Sequence, residues 1–170
     1  MEIVLSHEKK AIIDNEDYSL IAGYKYYARN HTKDNCHAAR YVHLGREEGL
    51  PQGYFIPMAR DILQVYDTKV IIDHRNGNGL DNRKTNLRVA TRQQNSMNRK
   101  KVSKKTSSLY KGVCRIKRVH PWRAQITYNE VSIYIGLYKT EEEAARAYDK
   151  KATELFGEFA KLNFPEGDGD

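Results

Sequence analysis

The chain has 170 residues, 39% of them hydrophobic, and carries 29 Lys and Arg against 22 Asp and Glu, a formal charge of +7. That length suits one ordinary domain or two small ones, with cores of modest size. The two cysteines, Cys36 and Cys114, are far apart and form no CxxC pair, which excludes a zinc cluster built on them and leaves a disulfide unsupported.

No run approaches a membrane span, and the start, MEIVLSHEKKAII, lacks the apolar stretch of a secretory leader. The expectation is a soluble intracellular protein with two free thiols. The positive charge is concentrated. Residues 1–68 hold 8 basic and 10 acidic residues, residues 69–124 hold 16 and 2, and residues 125–170 hold 5 and 10. A basic middle third suits a polyanion, because neutralising phosphates releases counterions.

In chain order, residues 2–5 and 10–13 read as two short strands around a polar turn. Asp14 is placed to cap a short helix ending near Ala22. Residues 24–29 and 36–42 form a second strand pair, joined by a polar connection at 30–35. Residues 45–53 read as a loop. Residues 56–66 have helical spacing, with Met58, Ile62 and Val65 on one side and Pro57 near the start. This half is the scaffold. His7, His31, His37 and His43 are scattered through it beside polar residues, which suits surface or hydrogen-bonded histidines better than ligands.

Residues 71–98, IIDHRNGNGLDNRKTNLRVATRQQNSMN, are the chemical centre. A strand delivers Asp73 and His74 into a Gly- and Asn-rich loop, where Gly77 and Gly79 allow turns that a Cβ would obstruct. Leu87 and Val89 anchor a second strand. Thr91 and Gln94 fit a capping box, so a helix starts there with Asn95 one turn inside. Residues 100–108 are basic and Ser-rich, a linker. Three strands follow at 110–116, 122–128 and 131–138. Thr140 with Glu143 caps a helix over 141–156, and Gly157 ends it. Residues 162–165 tuck back on this domain, and the acidic tail 166–170 is expected to be disordered.

Hydrolysing a phosphodiester needs a base for water, a cation for the developing charge and a grip on the backbone. His74 can be the base, its reference pKa lying near neutrality. Asp73 can bind a hard cation and Asn95 can add a second oxygen. Asn86 can hydrogen-bond the imidazole and fix its tautomer. Arg75, Arg83, Lys84 and Arg88 can clamp neighbouring phosphates. Taken singly, each of these residues is more often structural, and NGNG is an ordinary turn; the weight lies in the combination.

Residues 70–98 resemble the HNH homing-endonuclease motif, the ββα-metal fold, with the pattern DHxNGNxxDNRxxNLRxxTxxQNxxN. The resemblance implies a His–Asn–Asn triad of His74, Asn86 and Asn95. It makes His74 the general base oriented by Asn86, and it places one divalent ion, magnesium or manganese, on Asp73 and Asn95. The scaffold also resembles phage and bacterial members of that group, although Met58, Ala59 and Arg60 stand where Met-His-Arg is common. Residues 108–165 resemble the plant Apetala/ethylene-response-factor DNA-binding domain through YKGV, WRAQI, Ile135–Gly136, TEEEAARAYD and LNFP. That likeness implies a three-stranded sheet laid in the major groove, with Lys111, Arg115, Lys117, Arg118, Arg123, Gln125 and Tyr134 as contact residues. Cys114, Ile116 and Tyr134 depart from the plant pattern, so the plant target does not transfer. Trp122 is expected in the core.

The expected architecture is α+β. It comprises a mixed scaffold with a ββα-metal motif over 1–99, a basic linker over 100–107, a three-stranded antiparallel sheet packed on one helix over 108–165, and a tail. The expected function is a homing-type, site-specific DNA endonuclease of a phage or other mobile element, nicking one strand per active site of double-stranded DNA. A monomer or weak dimer is expected, associated with the cytoplasm or nucleoid, with no membrane partner and no small-molecule cofactor. The competing reading is a non-catalytic DNA-binding regulator on a nuclease-like scaffold.

Overall fold

The computed structural model of the protein describes residues 1–30, 36–47, 50–98 and 107–165. The chain divides into two compact units, Met1–Arg92 and Gln93–Asp170. The division falls ahead of the boundary expected at residue 99. The connection at 31–35, all but the end of the basic linker, and the tail lie outside the described residues.

In the first unit, β1 (Glu2–Val4) and β2 (Lys10–Ile12) form the expected hairpin, with Ile3 opposite Ala11. A 3-10 turn at Asn15–Asp17 runs into α1 (Tyr18–Ile21). Strands β3 (Tyr26–Asn30), β4 (Cys36–Glu47) and β5 (Leu50–Pro57) make an antiparallel sheet in that order. The loop expected at 45–53 is therefore largely strand. The pairing of β4 with β5 shifts register between His43 and Gly45, and Gly45 has φ +111. A bulge of this kind breaks the alternation that reveals a strand in sequence.

Helix α2 (Met58–Leu63) is shorter than the predicted 56–66, because Ile56 and Pro57 complete β5 and Gln64 turns left-handed at φ 54. Met58, Ala59 and Ile62 face inward and join Leu5, Ile13, Ile21, Tyr26 and Leu87 in one core. Burying Ile62 contributes about 1.5–3 kcal/mol.

Two polar devices fix α2. Asp61 is 2% exposed and accepts two bonds from Arg40, at 2.8 and 2.9 Å, and one from the Tyr26 hydroxyl at 2.6 Å. Burial, and then Asp61, hold the Tyr26 phenol well above its usual range. Arg60 donates to the carbonyls of Val65, Asp67 and Val70 at 2.7–2.9 Å. It thereby ties the end of α2 to the approach of β6 (Ile71–His74), which pairs antiparallel with β7 (Leu87–Ala90). Ala59, in the place where histidine was noted as common, is 2% exposed and part of the core.

The second unit holds α3 (Arg92–Met97) apart from its first residue, and a sheet of β8 (Val113–Arg115), β9 (Trp122–Tyr128) and β10 (Val131–Tyr138) in the order β10-β9-β8. Helix α4 (Glu141–Phe156) has the boundaries read from sequence, and its capping box is complete: Thr140 accepts from Glu143 N while the Glu143 carboxylate accepts from Thr140 N. Ala144, Ala145 and Ala152 are fully buried, which lets α4 lie close on Val113, Ala124 and Ile126. Trp122 packs with this core as expected. The return of residues 162–165 is secured by Asp149, which accepts from Asn163 N and Phe164 N at 2.9 Å.

Candidate active site

Cross-strand register builds the centre of the first unit. Asp73 on β6 lies opposite Arg88 on β7. Directly opposed side chains of opposite charge attract across an antiparallel pair. Both are 6% exposed at the side chain, and Arg88 donates to Asp73 Oδ2 at 2.9 and 2.8 Å. Arg88 is thus turned inward against Asp73, which corrects its assignment as a phosphate clamp.

The loop after His74 is organised by its own carboxamides. Asn76 and Asn78 accept from backbone N–H groups two residues on, at 2.8 and 3.1 Å. Asn76 Nδ2 donates to Asp81 Oδ2 at 2.8 Å. Such side chains stand in for a backbone turn. Gly77 has φ +74, and a Cβ on Gly79 would meet the Cys36 carbonyl at 2.6 Å, so this loop runs hard against β4. NGNG is here a fitted element as well as a turn.

Asn86 is 7% exposed and closes the loop instead of holding the imidazole. Its Oδ1 accepts from Asn76 N at 3.0 Å and its Nδ2 donates to the Asp81 carbonyl at 2.7 Å. The carboxamide facing His74 is that of Asn82, with Oδ1 3.3 Å from Nε2. Sequence reasoning missed Asn82, because between Asp81 and Arg83 it reads as one more turn residue. Burial holds the His74 pKa below the ordinary imidazole range, against opposing contributions from Asn82, Asp73 and Asp81. Burial thereby favours the neutral form of the ring.

Among the other cations, Arg83 makes a two-pronged bond to Asp81 at 2.8 and 2.7 Å. That contact comes first in holding the Asp81 carboxyl below its usual range. Lys84 reaches Asp17, with Glu16 at 3.9 Å. Arg75 is exposed. Asn95 lies half-buried on α3, in the second unit.

No cluster of three or more His, Cys, Asp or Glu able to hold a metal occurs among the described residues. A carboxylate and a carboxamide are hard oxygen donors. They fit magnesium or manganese, which bind through one or two protein oxygens and take their remaining ligands from phosphate and water.

In the second unit, sheet parity separates the expected contacts. Ala124 and Ile126 of β9 face α4, so Arg123 and Gln125 occupy the opposite face, joined by Tyr134, which pairs with Gln125. Arg115 lies opposite Trp122, on the α4 side, with its guanidinium 5.8 Å from the indole centroid. Lys117 and Arg118 are exposed in the turn before β9. Lys111 is the exception. Its Nζ donates to Met97 O at 2.6 Å, and burial lowers its pKa to about 8. It holds the last turn of α3, an inward bond that sets it apart from the other expected contacts.

Residues 64–97 match the HNH endonuclease family. That match covers β6, the loop, β7 and α3. An uncharacterized HNH endonuclease of Acanthamoeba polyphaga mimivirus is 44% identical over 94 residues, 55% of this chain and 47% of that protein. Two ethylene-responsive transcription factors of Arabidopsis thaliana are each 42% identical, one over 66 residues (38% of this chain, 35% of that protein) and one over 59 (34% and 14%). The chain thus spans about half the length of the viral relative and less of the plant ones. No solved structure matches the chain. An HNH motif is thereby present, and an ethylene-response-factor-type likeness accompanies it, as the sequence motifs implied. No helix among the described residues is long and apolar enough to cross a membrane.

Proposed function

We propose that the chain is a divalent-metal-dependent DNA endonuclease of the HNH type. The observation that carries this reading is the half-buried His74 beside Asp73 on β6, inside the family match. In the proposed reaction a water oxygen bonds to phosphorus and its proton passes to His74. The bond to the leaving sugar oxygen breaks, and that oxygen takes a proton from solvent. Asp73 and Asn95 would hold the cation, as the motif implies. When bound, the cation supplies positive charge against the phosphate and the leaving oxygen. Asn86 keeps the loop closed, and Arg75 and Arg83 lie on its solvent side to meet flanking phosphates. Arg123, Gln125 and Tyr134, with Lys117 and Arg118 nearby, form the face proposed to read duplex DNA. One such site per chain cuts one strand per binding event, as a homing-type enzyme of a mobile element would begin.

The buried pairing of Asp73 with Arg88 favours a second reading, since it already compensates the carboxylate. On that reading the chain is a DNA-binding regulator that does not cut. A supercoiled-plasmid nicking assay with magnesium separates the two. The nuclease reading expects nicks that vanish in excess chelator and fall to a small residual rate in His74→Ala, with DNA binding kept. Nicking by His74→Ala at the wild-type rate removes the base assignment, and an uncut plasmid favours the regulator.

A further inference from the structure

We propose that Asn82 is the positioning residue that sets the tautomer of His74. This rests on the proposed role of His74 as base. Asn82 Oδ1 lies 3.3 Å from His74 Nε2. A carboxamide oxygen only accepts, so Nε2 carries the hydrogen and the lone pair belongs to Nδ1. Which nitrogen is the base therefore follows from what faces the other one.

Asn82 is built to hold that position. It is 1% exposed and among the largest fully buried side chains. Its backbone N donates to Ile12 O at 2.7 Å, and Ile12 N donates to Leu80 O at 2.8 Å. A parallel bridge between Ile12 and Asp81 completes the tether. The hairpin strand β2, remote in sequence, thus grips the end of the site loop directly at this residue. Its neighbours are committed elsewhere: Asp81 to Arg83 and Asn76, and Asn86 to Asn76 and the Asp81 carbonyl.

A packing role does not account for the residue. Asn82 Nδ2 is buried without a partner among the described residues. An orphaned buried donor costs stability, and an apolar side chain of similar volume would avoid that cost. A carboxamide at this position makes sense if its oxygen is needed, and the group its oxygen faces is His74.

The test uses the full chain. Ring 15N–1H correlation spectra, with the His74 signals assigned by their loss in His74→Ala, should show the Nε2–H tautomer in the wild type. Asn82→Ala should show averaged tautomers. Plasmid nicking with magnesium should fall on the order of 10–100-fold in Asn82→Ala, the usual scale for a group that orients an active-site histidine. Duplex binding should stay as it was. Asn82→Asp, which keeps the acceptor, should recover most of the rate. Asn82→Ala added to His74→Ala should leave the residual rate unchanged, whereas a structural role would lower it further. An Nδ1–H tautomer in the wild type, full-rate nicking by Asn82→Ala, or additive losses in the double variant would overturn the proposal. If Asn82→Ala does not fold, the wild-type tautomer and Asn82→Asp decide. If no plasmid is cut, or His74→Ala cuts normally, the nuclease reading fails, while the spectra still decide the Asn82–His74 contact.

Discussion

Arg88 and Arg83 each face an aspartate, yet burial makes them unequal. Arg88 and Asp73 are both 6% exposed, whereas the Arg83 side chain is 47% exposed. Removing one partner of a buried pair leaves an uncompensated charge, at about 3–5 kcal/mol. Asp81 is also buried, with 4% of its side chain exposed, but half-exposed Arg83 is screened by water and so contributes less. Arg88→Ala should therefore shift the denaturant midpoint of the first unit strongly, and Arg83→Ala less, since Asn76 Nδ2 still donates to Asp81 when Arg83 is gone. Equal shifts would mean that Asp73 reaches water when Arg88 is gone. Asp81 adds a pH signature. Its folded pKa is depressed, chiefly by Arg83, so its stabilisation is present above the ordinary carboxylate pKa and is lost as pH falls through the lower folded value. Urea unfolding should show this acid loss in the wild type, and Arg83→Ala should reduce it.

At the scale of elements, sequence patterns revealed what local chemistry determines. Helix α4 was legible to the residue, because Thr140, Glu143 and Gly157 mark its ends and alanines mark its buried side. β9 and β10 have the bounds read from sequence, set off by the turn residues between them. The extension of β4 and all of β5 did not, since the bulge at His43 and Gly45 and the run of small and cyclic residues around Pro51 and Gly53 conceal a strand whose support is its neighbour. At the site, Asp73 and His74 could be read from type and spacing. That Asn82 rather than Asn86 faces the His74 ring could not, because both are buried carboxamides in one loop and only tertiary contact with β2 distinguishes them. The inward bond of Lys111 was hidden for a similar reason. A lysine beside a DNA-binding sheet looks exposed in sequence, yet this one holds the end of α3. Burial depresses its pKa to about 8, so between pH 8 and 10.5 the unfolded chain binds the extra proton. The unfolding free energy of the second unit should therefore rise with pH across that window. Lys111→Met should flatten the rise. In the same unit, Gly112 has φ +76 and a Cβ there would collide with the Tyr148 ring, so Gly112→Ala should lower the melting temperature sharply.

For the whole molecule the question is which charges bind. Residues 69–124 hold 16 basic and 2 acidic residues, but a count of charges overstates the number that can meet phosphate. Arg88 is spent on Asp73, and Lys111 on α3. Each phosphate neutralised contributes about 0.9 to the slope of log affinity against log salt, so contact residues can be told apart by that slope. Duplex binding should weaken steeply with salt. Replacing exposed Lys117 or Arg118 by alanine should weaken binding and lower the slope by about 1 each. Lys111→Met should leave the slope unchanged. Its ammonium points at a carbonyl, so no counterion is released when DNA arrives. Arg123 and Gln125 lie on the sheet face away from α4, where base edges rather than phosphates are the expected partners. Gln125→Ala should therefore relax sequence preference and leave the salt slope alone. Filter-binding titrations of these variants at four or five salt concentrations, on one duplex and on a scrambled one, measure both effects. A reduced slope for Lys111→Met would place that side chain on the DNA and return it to the contact set.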